Sequence, residues 1–251
     1  MMKFRFVREL RQVVVLYLVF IVMGVSSAEA DERISPSPFS FQKGNTIAMI
    51  GNGLADRMQH DGWVETLMQT ASQGLDLRFR NMSISGDRPN RYPRSKGFTG
   101  MDDYLRHVKA DVVFCFFGYN ESFGGKGKLP EYEKQLGEMI KKLRQAKPNG
   151  ESLPRIVLFS PIAHEDLNSP HLPDGVKNNI NLALYSAAMQ KVAEQKGVTY
   201  VDLFGPTQAL YAATEAPLTF NGIHLKPEGN RRLAEVMVKA LLNKDVELPK
   251  D

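Results

Sequence analysis

Apolar runs alternate with helix-period patterns along this chain from residue 46 onward. Thr46 to Ile50 is short and wholly apolar after its first residue, the mark of a strand buried on both faces. Leu75 to Met82 alternates apolar and polar positions, and predicts a second strand. Asp111 to Phe117, Arg155 to Ser160 and Thr199 to Phe204 predict three more. Between them lie helical patterns at Leu54 to Ser72, with Trp63, Leu67 and Met68 on the apolar side, and at 130–147 and 177–196. A last one runs over 227–243. Pro130 and Pro227 sit where proline suits a first helical turn. Alternation of this kind implies right-handed crossovers and an α/β fold: a five-stranded, mostly parallel sheet with helices on both faces.

In such a sheet the ligand crevice lies beyond the carboxyl ends of the strands, so the residues that follow each strand are the ones to interrogate. They are Gly51-Asn52-Gly53-Leu54, Ser83-Ile84-Ser85-Gly86-Asp87, Gly118-Tyr119-Asn120-Glu121 and Pro161-Ile162-Ala163-His164-Glu165-Asp166.

Upstream, the pattern is of a different kind. Lys3, Arg5, Arg8 and Arg11 precede an apolar run from Val13 to Val25, and Ala28-Glu29-Ala30 follows. That order predicts a signal peptide over 1–30, cleaved before Asp31, and hence an exported protein, periplasmic or secreted. The only expected membrane contact is through this segment. Residues 31–44, with Ser35-Pro36-Ser37-Pro38, read as a linker, 45–245 as one domain and 246–251 as a tail. Removing the signal segment lowers the formal charge from +4 to +2, because it takes away four basic and two acidic residues. No basic stripe interleaved with aromatics is left to suggest nucleic acid. Cys115, the one cysteine, lies in an apolar strand and reads as a buried structural thiol. No two histidines stand at ligand spacing on one helix, so neither a metal nor another cofactor is expected.

Taken in order, the strand-end segments resemble four blocks of the SGNH (GDSL-type) ester-hydrolase family. Gly51-Asn52-Gly53-Leu54 is similar to that family's Gly-Asp-Ser-Leu. Gly86 matches the glycine after its second strand, and Gly118-Tyr119-Asn120-Glu121 its Gly-x-Asn-Asp. Asn221-Gly222-Ile223-His224 matches in part the Asp-x-x-His before its last helix. The longer strings Gly51-Asn52-Gly53-Leu54-Ala55-Asp56-Arg57 and Phe117-Gly118-Tyr119-Asn120-Glu121-Ser122 also resemble a planctomycete-type subgroup. The resemblance implies a three-layer, flavodoxin-like sandwich and hydrolysis of an acyl or acetyl ester of a carbohydrate or lipid.

It also implies roles, residue by residue. His224 would be the base, and Asn221 stands where an orienting aspartate would. Gly53 and Gly86, through backbone N–H groups, and Asn120, through its amide, would hold an oxyanion, with Asn52 beside them. Gly53 occupies the position of the nucleophilic serine, and residues 41–71 contain no serine at all. Ordinary Ser-His-Asp chemistry therefore cannot run here. Two functions follow for a small-molecule or glycan ester ligand: hydrolysis by a route that departs from serine attack, or a binding module for a carboxylate or sugar that has lost the reaction. Asp56, Glu121, His164 and Glu165 lie at the same sheet edge and are further pocket candidates. For Asp56 and Arg57 the plainer expectation is a first-turn acid and a salt-bridging helix residue; for His164, a turn cap. Gly51-x-Gly53-x-x-Asp56 also has the outline of a dinucleotide fingerprint, but an aspartate in the third position would face a pyrophosphate.

Overall fold

In the computed structural model, residues 38–94 and 96–246 are described. The expected signal segment, residues 31–37 of the expected linker and residues 247–251 lie outside them. Five strands form one parallel sheet: β1 (Thr46–Gly51), β2 (Arg78–Asn81), β3 (Val112–Phe116), β4 (Arg155–Phe159) and β5 (Thr199–Val201), in the order β2-β1-β3-β4-β5. The chain runs outward from β1 to β2 and then crosses back to β3. The crevice of the sheet therefore opens between the ends of β1 and β3.

The helices are α1 (Gly53–Met58), α2 (Trp63–Ala71), α3 (Met101–His107), α4 (Tyr119–Ser122), α5 (Leu129–Ala146), α6 (Val176–Lys196), α7 (Phe204–Ala213) and α8 (Pro227–Leu242). The two faces of the sheet sort by strand period. Ile47, Met49, Phe114, Phe116, Val157 and Phe159 pack with Leu67 of α2 and Leu233 and Met237 of α8. Ala48, Ile50, Val113, Cys115, Ile156 and Leu158 pack with Leu136 and Ile140 of α5 and with Met189 and Val192 of α6. Burial on both faces is why β1 and β3 read as continuous apolar runs. Cys115 is fully buried, and burial pushes its thiol pKa well up.

Two details differ from the pattern reading. The single helix expected over Leu54 to Ser72 is two, because the chain turns at Gly62, whose φ of +62° is left-handed and unfavourable for a side chain. Packing also begins upstream of residue 45. Phe39 and Phe41 meet edge to face at 5.3 Å, and Arg155 lies over the Phe39 ring.

Candidate functional site

The first wall of the site is the turn from β1 into α1. Gly51 runs so close to β3 that a Cβ there would lie 2.5 Å from the Phe116 carbonyl oxygen. Asn52 caps α1: its Oδ1 accepts from the Leu54 N–H at 3.5 Å, and its own N–H donates to Phe116 O at 3.1 Å. The Asn52 side chain is buried, and its Nδ2 has no hydrogen-bond partner among the described residues. Gly53, the first residue of α1, does not have a positive φ. A Cβ added there would sit 4.0 Å from His224 Nε2 and 3.5 Å from Ser85 Oγ, both ordinary contacts.

The second wall follows β2. Asp56 holds it to α1, its Oδ2 accepting from Ser85 Oγ at 2.6 Å and from Ser85 N–H at 3.1 Å. Gly86 turns with φ +93°, and the next residue, Asp87, is fully buried and paired with Arg94 at 2.5 and 2.7 Å. Asn120, on α4 after β3, points its Nδ2 at the Asp87 carbonyl from 3.5 Å. Glu121 turns the other way. Its Oε2 accepts from the Gly118 N–H at 2.7 Å, closing the turn behind Asn120, and burial raises its pKa.

His224 closes the site from the loop before α8. Asn221 Oδ1 accepts from the backbone N–H groups of Ile223 at 3.2 Å and His224 at 2.9 Å. Those donors fix which end of the amide is oxygen. His224 Nδ1 then lies 3.1 Å from Asn221 Oδ1 and 3.0 Å from Nδ2. An aspartate could only accept, and would force the proton onto Nδ1, leaving Nε2 as a base. The amide offers both a donor and an acceptor, so it selects neither tautomer. Burial, and then the charge of Arg57, lower the His224 pKa below the ordinary histidine value. Above the ordinary value the ring is therefore neutral.

His164 and Glu165 stand behind this loop. Glu165 accepts three hydrogen bonds, from Leu218 N–H at 2.9 Å, Thr219 N–H at 2.7 Å and Thr219 Oγ1 at 2.6 Å. His164 is buried against Tyr119 and Asn178, through Nδ1 at 3.3 and 3.0 Å, and burial lowers its pKa. Gly222 must be glycine for this packing, since a Cβ there would meet His164 Nε2 at 2.3 Å. Both residues thus carry the loop that presents Asn221 and His224.

Asn52, Gly53, Asn120 and His224 line one cavity of about 200 Å³, together with Arg57 and Tyr119. Phe116, Phe117, Ile162, Ile223 and Leu225 make its apolar floor and sides, and Phe123, 66% exposed, stands at the mouth. Burial pushes the Tyr119 phenol up to about 12, so it stays protonated. Gly86, Asp56, Glu121, His164, Glu165 and Asn221 are not among the lining residues. Arg57 is the residue that the pattern reading missed. Instead of the salt bridge expected of it, it makes none among the described residues; its guanidinium lies 5.2 Å from the centroid of Phe220, which stacks on His224 at 5.5 Å and 13°. The signal was present in its spacing: Arg57 is four residues beyond Gly53 and shares its helix face.

A comparison with curated protein sequences found no significant match. Among solved structures, the fold is similar to that of a catalytic mutant of Axe2, an acetylxylan esterase from Geobacillus stearothermophilus, at 18% identity and a TM-score of 0.59, over 81% of this chain and 96% of that one. It is also similar to the α/β hydrolase enzyme LAE5 from the metagenome of Lake Arreo, Spain (18% identity, TM-score 0.60, 80% and 96% covered). A putative GDSL-like lipase from Parabacteroides merdae matches likewise (18%, 0.60, 81% and 98%). At these identities the likeness concerns the fold alone. The model of the GDSL-like lipase/acylhydrolase family matches residues 48–232, which take in the sheet from Ala48 of β1 onward and every lining residue of the cavity. On that match the chain belongs to the GDSL-like lipase/acylhydrolase family.

Proposed function

We propose that this protein is an exported hydrolase of acyl or acetyl esters in which a water molecule takes the part of the missing serine hydroxyl. The observation that carries the reading is the geometry at Gly53: the direction in which a side chain would leave its Cα ends 4.0 Å from His224 Nε2, with ordinary contact distances all round. Space of that kind beside a neutral imidazole suits a nucleophile that is not part of the chain. Water oxygen attacks the acyl carbon while Nε2 takes its proton. The ester C–O bond then breaks, and the alkoxide leaves with the proton that the imidazolium returns. We assign the developing oxyanion to the N–H of Gly53, in a first turn whose N–H groups have no intrahelical partner, and to the Asn120 amide, with Gly86 adjoining. Substrates with short acyl groups and a carbohydrate or lipid alcohol match the small cavity. The strings around Gly53 and Asn120 also support a place in a serine-lacking, planctomycete-type subgroup.

A second reading has its own support. Asn221 is neutral and Arg57 is cationic, so neither stabilises the imidazolium that base catalysis requires. A site so arranged can hold a carboxylate or sugar without turning anything over. Steady-state hydrolysis of short-chain aryl esters and acetylated sugars separates the two. The hydrolase reading expects slow turnover that disappears in His224→Ala; no turnover in the wild-type protein favours the binding module.

A further inference from the structure

Two arginines, Arg57 and Arg94, are held differently, and of the two only Arg57 lines the cavity. Arg94 has a buried carboxylate to itself, Asp87, at 2.5 and 2.7 Å. Arg57 is half-buried and faces the cavity, with no ion pair among the described residues. The acid next to it, Asp56, is committed to Ser85 and Gln59. Arg57 Nε is buried without a hydrogen-bond partner among the described residues, and so is Asn52 Nδ2, which also lines the cavity. Two buried donors without acceptors, one of them on a cation, in a cavity whose other lining joins apolar side chains to the neutral polar groups of Tyr119, Asn120 and Ser160, carry an unfavourable desolvation that an anionic ligand would relieve. Among the described residues, no carboxylate lines this cavity to compete for them.

We propose that Arg57 and Asn52 form a subsite for a carboxylate on the acyl part of the substrate, so that the preferred ligand is a half-ester of a short dicarboxylic acid. The placement follows from α1. Arg57 lies four residues, about 6 Å along the axis, beyond Gly53. A carboxylate two or three bonds from an acyl carbonyl carbon beside Gly53 falls within that span, and the flexible arginine side chain covers the difference. The guanidinium offers a planar fork to both carboxylate oxygens, while its stacking on Phe220 keeps it aligned without an internal partner.

The assignment rests on the reading that this cavity takes the acyl group, and it is tested by binding rather than turnover. Succinamate, an amide that carries the carboxylate, and butyramide, its neutral counterpart of equal chain length, are titrated into the protein and followed by NMR. The wild type is expected to bind succinamate at least ~10-fold more tightly than butyramide, a modest demand for a desolvated charge pair. Arg57→Met, which keeps the packing against Phe220, abolishes that preference without weakening butyramide, and Arg57→Lys retains part of it. Equal affinity for the two probes in the wild type overturns the subsite, as does failure to bind either. A preference that survives Arg57→Met overturns the role given to this residue. None of these outcomes depends on whether esters are hydrolysed, so an inactive protein that prefers succinamate would remove the hydrolase reading and leave the subsite standing.

Discussion

His164 and His224 both follow a sheet edge, both have their pKa lowered by burial, and the structure uses them in opposite ways. His164 is enclosed by Tyr119, Asn178 and Gly222, and its neighbour Glu165 has all its duties within the protein. His224 has an ambiguous partner in Asn221 and turns Nε2 toward open space beside Gly53. Behind the loop both Glu165 oxygens are engaged, while His164 Nε2 is buried away from the cavity without a partner among the described residues; in front, the unpartnered donors of Asn52 and Arg57 belong to residues that line the cavity. Scaffold and site are therefore told apart by whether their polar groups face the cavity, not by residue type.

Breaking the scaffold side has the largest expected effect. Glu165→Ala leaves two backbone N–H groups and the Thr219 hydroxyl unsatisfied and buried, at a cost of about 3 kcal/mol or more. Denaturant melts should show that loss, with a fall in Tm of roughly 6–12 °C for a domain of this size. Any esterase activity should go with it, since the loop that presents His224 is released.

The site side answers to restoration instead. Gly53→Ser places a hydroxyl near His224 Nε2, and the backbone there has no left-handed strain to resist a side chain. Asn221→Asp adds the acceptor that fixes the tautomer and stabilises the imidazolium. The double variant should hydrolyse activated esters at least ~10-fold faster than the wild type, against the ~10²–10⁴-fold usual for positioned acid–base groups. A folded double variant with no gain would mean that the cavity is not arranged for acyl transfer.

Proton titration sharpens the contrast. Both histidines have folded pKa values below the unfolded one, so between those values the unfolded chain binds more protons. Their contribution to stability is intact above the unfolded pKa, near 6.5, and is lost as pH falls toward the folded values. In Arg57→Met, the His224 titration followed by NMR should move upward, because a nearby cation has gone, while that of His164 stays where it is. The smallest effect is expected of Gly53→Ala. It adds a methyl group into ordinary contact distance and should change stability by no more than about 0.5 kcal/mol.

Much of this was legible in the order of residues. Fully apolar strands such as Val112 to Phe116 show themselves because both faces are buried; the strand ends then locate Gly53 and Asn120, and the block before the last helix locates His224. The break at Gly62 was hidden, since the apolar residues on either side keep a helical period. Arg57 was misjudged because an arginine after an aspartate on a helix usually finds an acid; only the fold shows Asp56 turned to Ser85. Glu165 was equally opaque, because its three donors come from residues 218 and 219, far along the chain.

The central claim is that no atom of the protein attacks the ester. Intact-mass measurement during turnover of a slow aryl ester tests it most directly. The account predicts acid product accumulating while the mass of the protein stays unchanged at every time point. An acyl adduct that forms and decays at the turnover rate, mapped to Ser85 beside the open position at Gly53 or to any other side chain, would contradict it.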